Sequence, residues 1–497
     1  MAIDAVTEAP RAPEAPGAPG ARRGWVLLAV ALGTFMTYLD NNVVNVAIPT
    51  IQRSLGLSES GIEWVVSAYI LFFAGLLLAG GRLADVIGRR RLFVIGLVVF
   101  TVASLLAGAA STAAELIGAR ALQGIGAALL TPTTLAIVST TFAAGAERAR
   151  AIAIWGAVGA LALAVGPVIG GVLTEHASWH WIFLLNVPMG AATLALAMWS
   201  VPRDGPLKRR AFDTAGVVTS AVALFALTYA LIEGTHLGWS STPIVAALAT
   251  FVAGTVAFLR VEHHSADPMV DLHLFRSRSY SSGVVVVMLW AFGLFGIYFF
   301  TAIYLQSVLG FSATKAGLAF VPMALLMAVG ASVSDRAAAS IGPNRLVGMA
   351  MVGMAIGIAS ASLLGAHASF AELMVPFAII GVSGGLTIPL TNVIVSGMPA
   401  SRAGIASGVF NASREVAGLL GITVIGVVLT ARQHAAVAAG RTPVIAFLDG
   451  YRPGLLVAAA LVGAGGVVAY VALPRYVPGA PPAEEVTVEK SELAWAA

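Results

Sequence analysis

The chain has 497 residues, 58% of them hydrophobic and only 10% charged, with a mean hydropathy of +0.90. A soluble domain carries about 25% charged residues, so the composition excludes a soluble protein and sets the apolar residues against lipid. The absence of cysteine excludes disulfides, thiolate metal sites and thiol catalysis. The net charge of +4 comes from basic residues in short loops between apolar runs, which form no basic domain and offer no surface for nucleic acid.

The Ala/Pro/Gly-rich start, within residues 1–23, is expected to be a disordered tail. A membrane span needs about 20 mostly apolar residues. Fourteen such runs follow, at 24–49, 62–81, 92–110, 114–138, 151–173, 181–201, 213–233, 242–260, 281–305, 316–335, 346–364, 372–395, 404–430 and 454–473. They are called spans 1 to 14. The first run is too long for a signal-peptide core and is read as a retained span. Residues 475–497 form a polar tail.

With the N-terminus in the cytosol, the inside segments hold 21 Lys and Arg residues and the outside loops hold 5. This positive-inside bias predicts that both termini and the loop 203–210 are cytosolic and that 432–452 is an outside loop. Arg120 and Arg414, the other two basic residues, fall within spans.

IQRSLGLS (51–58) matches LQSVLGFS (305–312) at an offset of 254, and GRRRL (88–92) matches GPNRL (342–346) at the same offset. Two matches at one offset argue for duplication. Eight spans separate the copies, so the repeats share an orientation. The expected fold is an all-α integral membrane protein with fourteen transmembrane helices. Two parallel six-helix bundles, 24–201 and 261–474, flank a basic loop and two linker spans at 202–260. This is a transporter architecture.

Four sets of residues carry chemistry. A charge at mid-span costs roughly 2.5–3.5 kcal/mol, so intramembrane charges read as functional. Asp40 in span 1 and Arg120 in span 4 sit at similar depth by residue count. A carboxylate whose arginine partner comes and goes can load and release a proton; the alternative is a static structural pair. The loop after span 2, GRLADVIGRRRLF (81–93), holds Gly81, Asp85, Gly88, Arg89, Arg90 and Arg91. It reads as a charge network latching one bundle against the other on the cytosolic side. Span 5 carries Gly166, Pro167, Gly170 and Gly171, a small-residue face with a proline that can kink the helix. Span 13 carries Asn411, Arg414 and Glu415 near mid-bilayer, where transporters bind substrate.

These segments resemble the major facilitator superfamily, and within it the fourteen-span drug:proton antiporters. GRLADVIGRRRLF is similar to motif A. YLDNNVVNVAIPTI (38–51) resembles the span 1 motif, RALQGIGAALLTP (120–132) motif B, and GPVIGG (166–171) the antiporter motif C. ASWHWIFLLNVPMG (177–190), DPMVDLHLF (267–275) and FNASREVAGLLG (410–421) extend the likeness over nearly the whole chain. The resemblance implies proton coupling or substrate response at Asp40 and Arg120, and antiport control at motif C. Departures from the pattern are Asn42 where a Thr is usual, His180 for a common Arg, and Glu63 and Glu415 where neutral residues are usual. Asp335 sits one helical turn before the position that the offset gives from Asp85.

No phosphate-binding loop is present. GVSGG (381–385) lies inside a span without the strand-to-helix turn of a nucleophile elbow, and the histidines fit no metal-ligand spacing. The expectation is therefore a proton-coupled antiporter in the bacterial plasma membrane, a monomer exporting small amphipathic compounds by alternating access. It would use no metal, cofactor, enzymatic step or nucleic acid. Alternatives are export of an endogenous metabolite, siderophore or lipid, and a non-transporting membrane sensor.

Overall fold

The structure, a computed structural model, describes residues 20–143, 145–204, 213–265, 268–396 and 400–475. Most of both tails and of the loop at 203–210 therefore lies outside the described residues, as does the side chain of Asp85. Among the described residues there is no strand. Lipid offers no hydrogen bonds to the backbone, and helices satisfy their own.

Among the described residues fourteen helical segments are long and apolar enough to cross a membrane, one for each predicted run. Spans 1 to 6 are Arg22–Leu55, Glu59–Ala84, Arg89–Gly108, Ala113–Thr141, Arg150–His176 and Trp181–Ser200. Spans 7 and 8 are Thr214–Leu237 and Thr242–His264. Spans 9 to 14 are Arg278–Val308, Ala313–Ile341, Pro343–Ala361, Phe370–Thr391, Ala406–Ala438 and Pro443–Ala472. Span 1 packs on spans 4, 5 and 6, and span 4 on spans 2 and 3, closing the first bundle. Spans 9, 13 and 14 close the second together with spans 10, 11 and 12. Spans 7 and 8 pair with each other, and span 7 touches spans 2 and 13. Large apolar side chains such as Val102, Leu161, Val252, Leu325 and Val467 are left exposed, as a lipid-facing surface requires.

Hydropathy misplaces one boundary. The helix containing span 13 runs Ala400–Ala438 and the last begins at Pro443, so most of the segment expected as a loop at 432–452 is helical. At about 1.5 Å per residue this 39-residue helix is much longer than a bilayer core of about 30 Å. Its polar end, with Arg432, Gln433 and His434, leaves the apolar run without leaving the helix.

The repeat is written in the backbone. Gly56 and Gly310, at the offset of 254, have φ of 61° and 67°. Ser58 accepts from the Gly61 amide at 3.1 Å and Ser312 from the Lys315 amide at 3.3 Å, so both copies cap the next helix alike. Gly88 and Gly342, again at that offset, turn the chain between spans 2 and 3 and between spans 10 and 11 with φ of 108° and 87°.

The described residues begin and end on one face, here called the basic face, and their two ends are the termini referred to below. On the opposite face the bundles meet at two seams. Span 5 meets span 10 where Gly171 lies on the Ala313 backbone and Gly317 on that of Pro167. Span 2 meets span 13 where Gln433 Nε2 donates to Glu59 Oε1 at 2.9 Å. Gln306 of span 9 also donates to the Val46 carbonyl of span 1 at 2.7 Å, and the Thr314 amide donates to Glu175 at 2.9 Å.

Candidate functional site

Asp40 and Arg120 are both fully buried, and Arg120 Nη1 donates to Asp40 Oδ2 at 2.5 Å. The helices that cross here supply the rest of the site. Asp40 Oδ1 accepts from Gln123 Nε2 of span 4 at 3.0 Å and from Asn186 Nδ2 of span 6 at 2.9 Å. Gln123 is held in turn by Ser104 of span 3 at 2.8 Å. Arg120 Nε donates to the Val65 carbonyl of span 2 at 3.1 Å, and its guanidinium carbon lies 4.4 Å from the Tyr69 ring centroid. Arg120 Nη2 is buried without a hydrogen-bond partner. Sequence reasoning picked out the ion pair but missed Gln123, Asn186, Ser104 and Tyr69. Gln123 and Asn186 do fall inside the quoted motif segments.

Every one of these partners belongs to the first bundle. The second charge pair lies on span 13, where Arg414 Nη2 donates to Glu415 Oε1 at 2.7 Å and Nε to the same oxygen at 3.2 Å. Glu415 is buried and Arg414 partly exposed. Asn411 turns away and donates to the Ser407 carbonyl at 2.9 Å. Tyr38 of span 1 lies close to Arg414, on the other bundle. The Tyr69 hydroxyl donates to the Thr37 carbonyl of span 1 at 3.3 Å.

The glycines of motif C divide between two neighbours. A Cβ on Gly166 would meet Asn42, and one on Gly170 the Val43 backbone, both on span 1. Gly171 and Pro167 instead abut Ala313 and Gly317 of span 10. Span 5 is thus packed without side chains against both bundles at once. Nearby, a cleft of about 570 Å3 opens on the face opposite the termini, lined by Arg53, Glu175, Gln306 and Ser312 among others.

At the motif A turn the acidic partner is Asp204, which sequence reasoning missed. Its carboxylate accepts from the backbone amides of Arg90 at 3.0 Å and Arg91 at 3.2 Å, capping span 3. Arg90 also donates to the Met198 carbonyl at 2.6 Å. These bonds tie the start of span 3 to the segment just after span 6, while the side chain of Asp85, the acid of the expected latch, lies outside the described residues. Arg82 does cross, donating to the Pro268 carbonyl before span 9 at 2.6 Å. Gly81 lies near Pro132, and Arg89 is half-buried. In the second bundle Asn344 Nδ2 donates to the Tyr470 carbonyl at 3.1 Å, an equivalent of the Arg90 contact, while Asp335 is exposed.

Gly88→Ala should cost about 1–3 kcal/mol, because the site needs positive φ and the Asp204 carboxylate occupies the Cβ position. A melting temperature at least several degrees below wild type is the expected reading, and an unchanged one would show that the turn does not need glycine.

Comparison with known proteins fits this geometry. Residues 30–422 match the Major Facilitator Superfamily. The chain is 36% identical over 406 residues to the multidrug resistance protein Stp of Mycobacterium tuberculosis, covering 82% of this chain and 75% of that protein. It is 35% identical over 449 residues to the puromycin resistance protein pur8 of Streptomyces alboniger, covering 88% of each. A crystal structure of a bacterial homologue of the human lysosomal transporter Spinster, inward-facing and unoccupied, superposes with a TM-score of 0.64 at 17% identity. That match covers 92% of this chain and 98% of that one. With fourteen spans, two six-helix bundles and a family match over most of its length, the chain belongs to the Major Facilitator Superfamily and is a membrane transporter.

Proposed function

We propose that this transporter is a proton-coupled exporter of small amphipathic compounds, antibiotics and other toxic molecules among them. It works by alternating access in the bacterial plasma membrane as a monomer, with the basic face in the cytosol. The observation that carries this reading is the buried Asp40–Arg120 pair, the one acid of span 1 held against a cation inside a polar cage. Proton uptake by Asp40 frees Arg120, and substrate entry between Tyr38, Arg414 and Glu415 acts on the same region. The names of the relatives, multidrug and puromycin resistance proteins, support a drug as cargo. Rocking of the bundles needs close helix contact, which Pro167 and the motif C glycines provide. The test is efflux in a host lacking its own exporters: wild type should protect against a toxic panel and lose that protection when the pH gradient is collapsed. Protection that survives collapse would remove proton coupling.

Orientation is checked by labelling. The chain has no native cysteine, and Leu363 is highly exposed beyond span 11 on the face opposite the termini. Leu363→Cys should react with an impermeant reagent in intact cells and Arg203→Cys should not; the reverse pattern inverts the topology.

Charge selectivity follows from the two pairs. In the central region Asp40 is matched by Arg120 and Glu415 by Arg414, so no surplus carboxylate there awaits a second positive charge. Efflux of dications should be weaker than that of monocations. Glu415→Gln should weaken monocation efflux about tenfold and spare neutral compounds, in line with a charge-assisted contact of about 1.5–3 kcal/mol. Matched neutral, monocationic and dicationic dyes read this out, and equal losses for all three would leave Glu415 a structural role.

A further inference from the structure

Glu63 lies one turn into span 2, near the face opposite the termini, and is 7% exposed. It plays no part in the Asp40 cage. Its carboxylate points across the seam to span 13, where a Cβ on Gly426 would strike Glu63 Oε1. Among the described residues no donor or cation is recorded against it. The charges that reach it are acidic, Glu59 from its own helix and Glu233 from span 7. Glu233 accepts from Trp64 Nε1 at 2.9 Å. Span 13 brings His434, whose Nε2 is 3.8 Å from Glu59 Oε2, and span 7 brings His236, which packs edge-on against His434. Span 4 brings Arg120, whose guanidinium is engaged by Asp40, Val65 and Gln123. Acceptors are in surplus here: Glu59 Oε2 and Gln433 Oε1 are also buried without hydrogen-bond partners.

Packing does not call for a carboxyl at this place. The duplicated counterpart of Glu63, at the offset of 254, is Gly317. Gly317 closes the other seam by lying on the Pro167 backbone. The two seams are therefore versions of one contact, made by bare backbone on one side and by an acid group on the other. A buried carboxylate without a cation is strongly disfavoured and takes up a proton instead.

We propose that Glu63 is a proton-binding site that gates the seam between spans 2 and 13. When the seam parts, the carboxyl O–H bond breaks, the proton passes to water on the face opposite the termini, and the carboxylate is hydrated. When the seam closes, the carboxylate takes a proton back from the same aqueous phase. This proton is not transported; it makes closure of that face depend on the acidity outside. Its place in a transport cycle rests on the proton-coupled reading above, but protonation and gating are read without any substrate, so the two can fail separately.

The test uses the full chain in lipid nanodiscs with spin labels on S60C and V437C, across the seam. Raising the pH should lengthen the label distance in wild type. Between the titration of the open form and that of the closed form the open-to-closed ratio should rise by up to about tenfold per pH unit, the limit for one linked proton. E63Q, and E63M as a second neutral variant, should stay closed at every pH, while E147Q, which changes an exposed carboxyl at the start of the span 5 helix, keeps the wild-type response. Infrared difference spectra should show a protonated-carboxyl C=O band in the acid form that E63Q lacks. A wild-type pH response in E63Q or E63M, its loss in E147Q, or an unchanged carboxyl band in E63Q would each overturn the proposal.

Discussion

Asp40→Asn is expected to abolish pH-driven efflux and, separately, to destabilise the first bundle. The amide cannot titrate, so no proton exchanges at the site. It also leaves Arg120 buried against a neutral group, and removing one partner of a buried pair costs about 3–5 kcal/mol. Arg120 already has one unsatisfied nitrogen, and the new amide would point a donor at Arg120 or at Gln123 and Asn186. Two losses must therefore be told apart. Replacing both charges, as Asp40→Asn with Arg120→Gln, should recover much of the melting temperature while efflux stays absent. Retained drug-induced proton release in vesicles of the single variant would take Asp40 out of the proton path. Full transport by the double variant would reduce the pair to a structural role.

The second large effect is expected at Gly171. An added Cβ would enter the Ala313 backbone at the seam between spans 5 and 10. Backbone cannot swing aside as a side chain can, so closure of this face should cost about 1–3 kcal/mol, the usual size of overpacking. Gly171→Ala should therefore lower transport severalfold or more with little change in folding of either bundle. Gly156→Ala on the same helix is the control, since nothing lies within 4 Å of its Cβ position. Alkylation of a cysteine placed beside the seam should rise in Gly171→Ala alone. Equal rates in both variants would show that the seam tolerates the methyl group.

What the sequence reveals depends on how each feature is encoded. Spans are legible because lipid demands long apolar runs, and Asp40 and Arg120 stand out because charge is rare inside them. Their amide partners are not legible in this way. Gln123 and Asn186 are neutral residues in apolar helices, and their role arises only where spans 1, 4 and 6 cross. Tyr38 has the same difficulty, since its reach to Arg414 spans two halves of the chain. Asp204 looks like an ordinary loop acid until the chain folds it onto the start of span 3. The overhang of span 13 is hidden because hydropathy marks the edge of lipid and not the end of a helix. The repeat was visible through Gly56, Ser58 and Gly88 because turns and caps require particular residue types, while lipid-facing positions accept any apolar one.

The pairing of the two central acids with arginines has a consequence for membrane voltage. With Asp40 against Arg120 and Glu415 against Arg414, the central pairs carry no net charge, and with Glu63 protonated in the closed seam the membrane potential does little work on the empty transporter. Protonation of Asp40 uncovers the charge of Arg120, and one such charge crossing the field is worth about 2.3 kcal/mol per 100 mV. In the proposed cycle, exchange of one proton for a neutral compound moves one charge and is driven by voltage as well as by acidity. Exchange of one proton for a monocation moves none and is driven by acidity alone. The same protein would then run on two different fractions of the proton-motive force, chosen by its cargo.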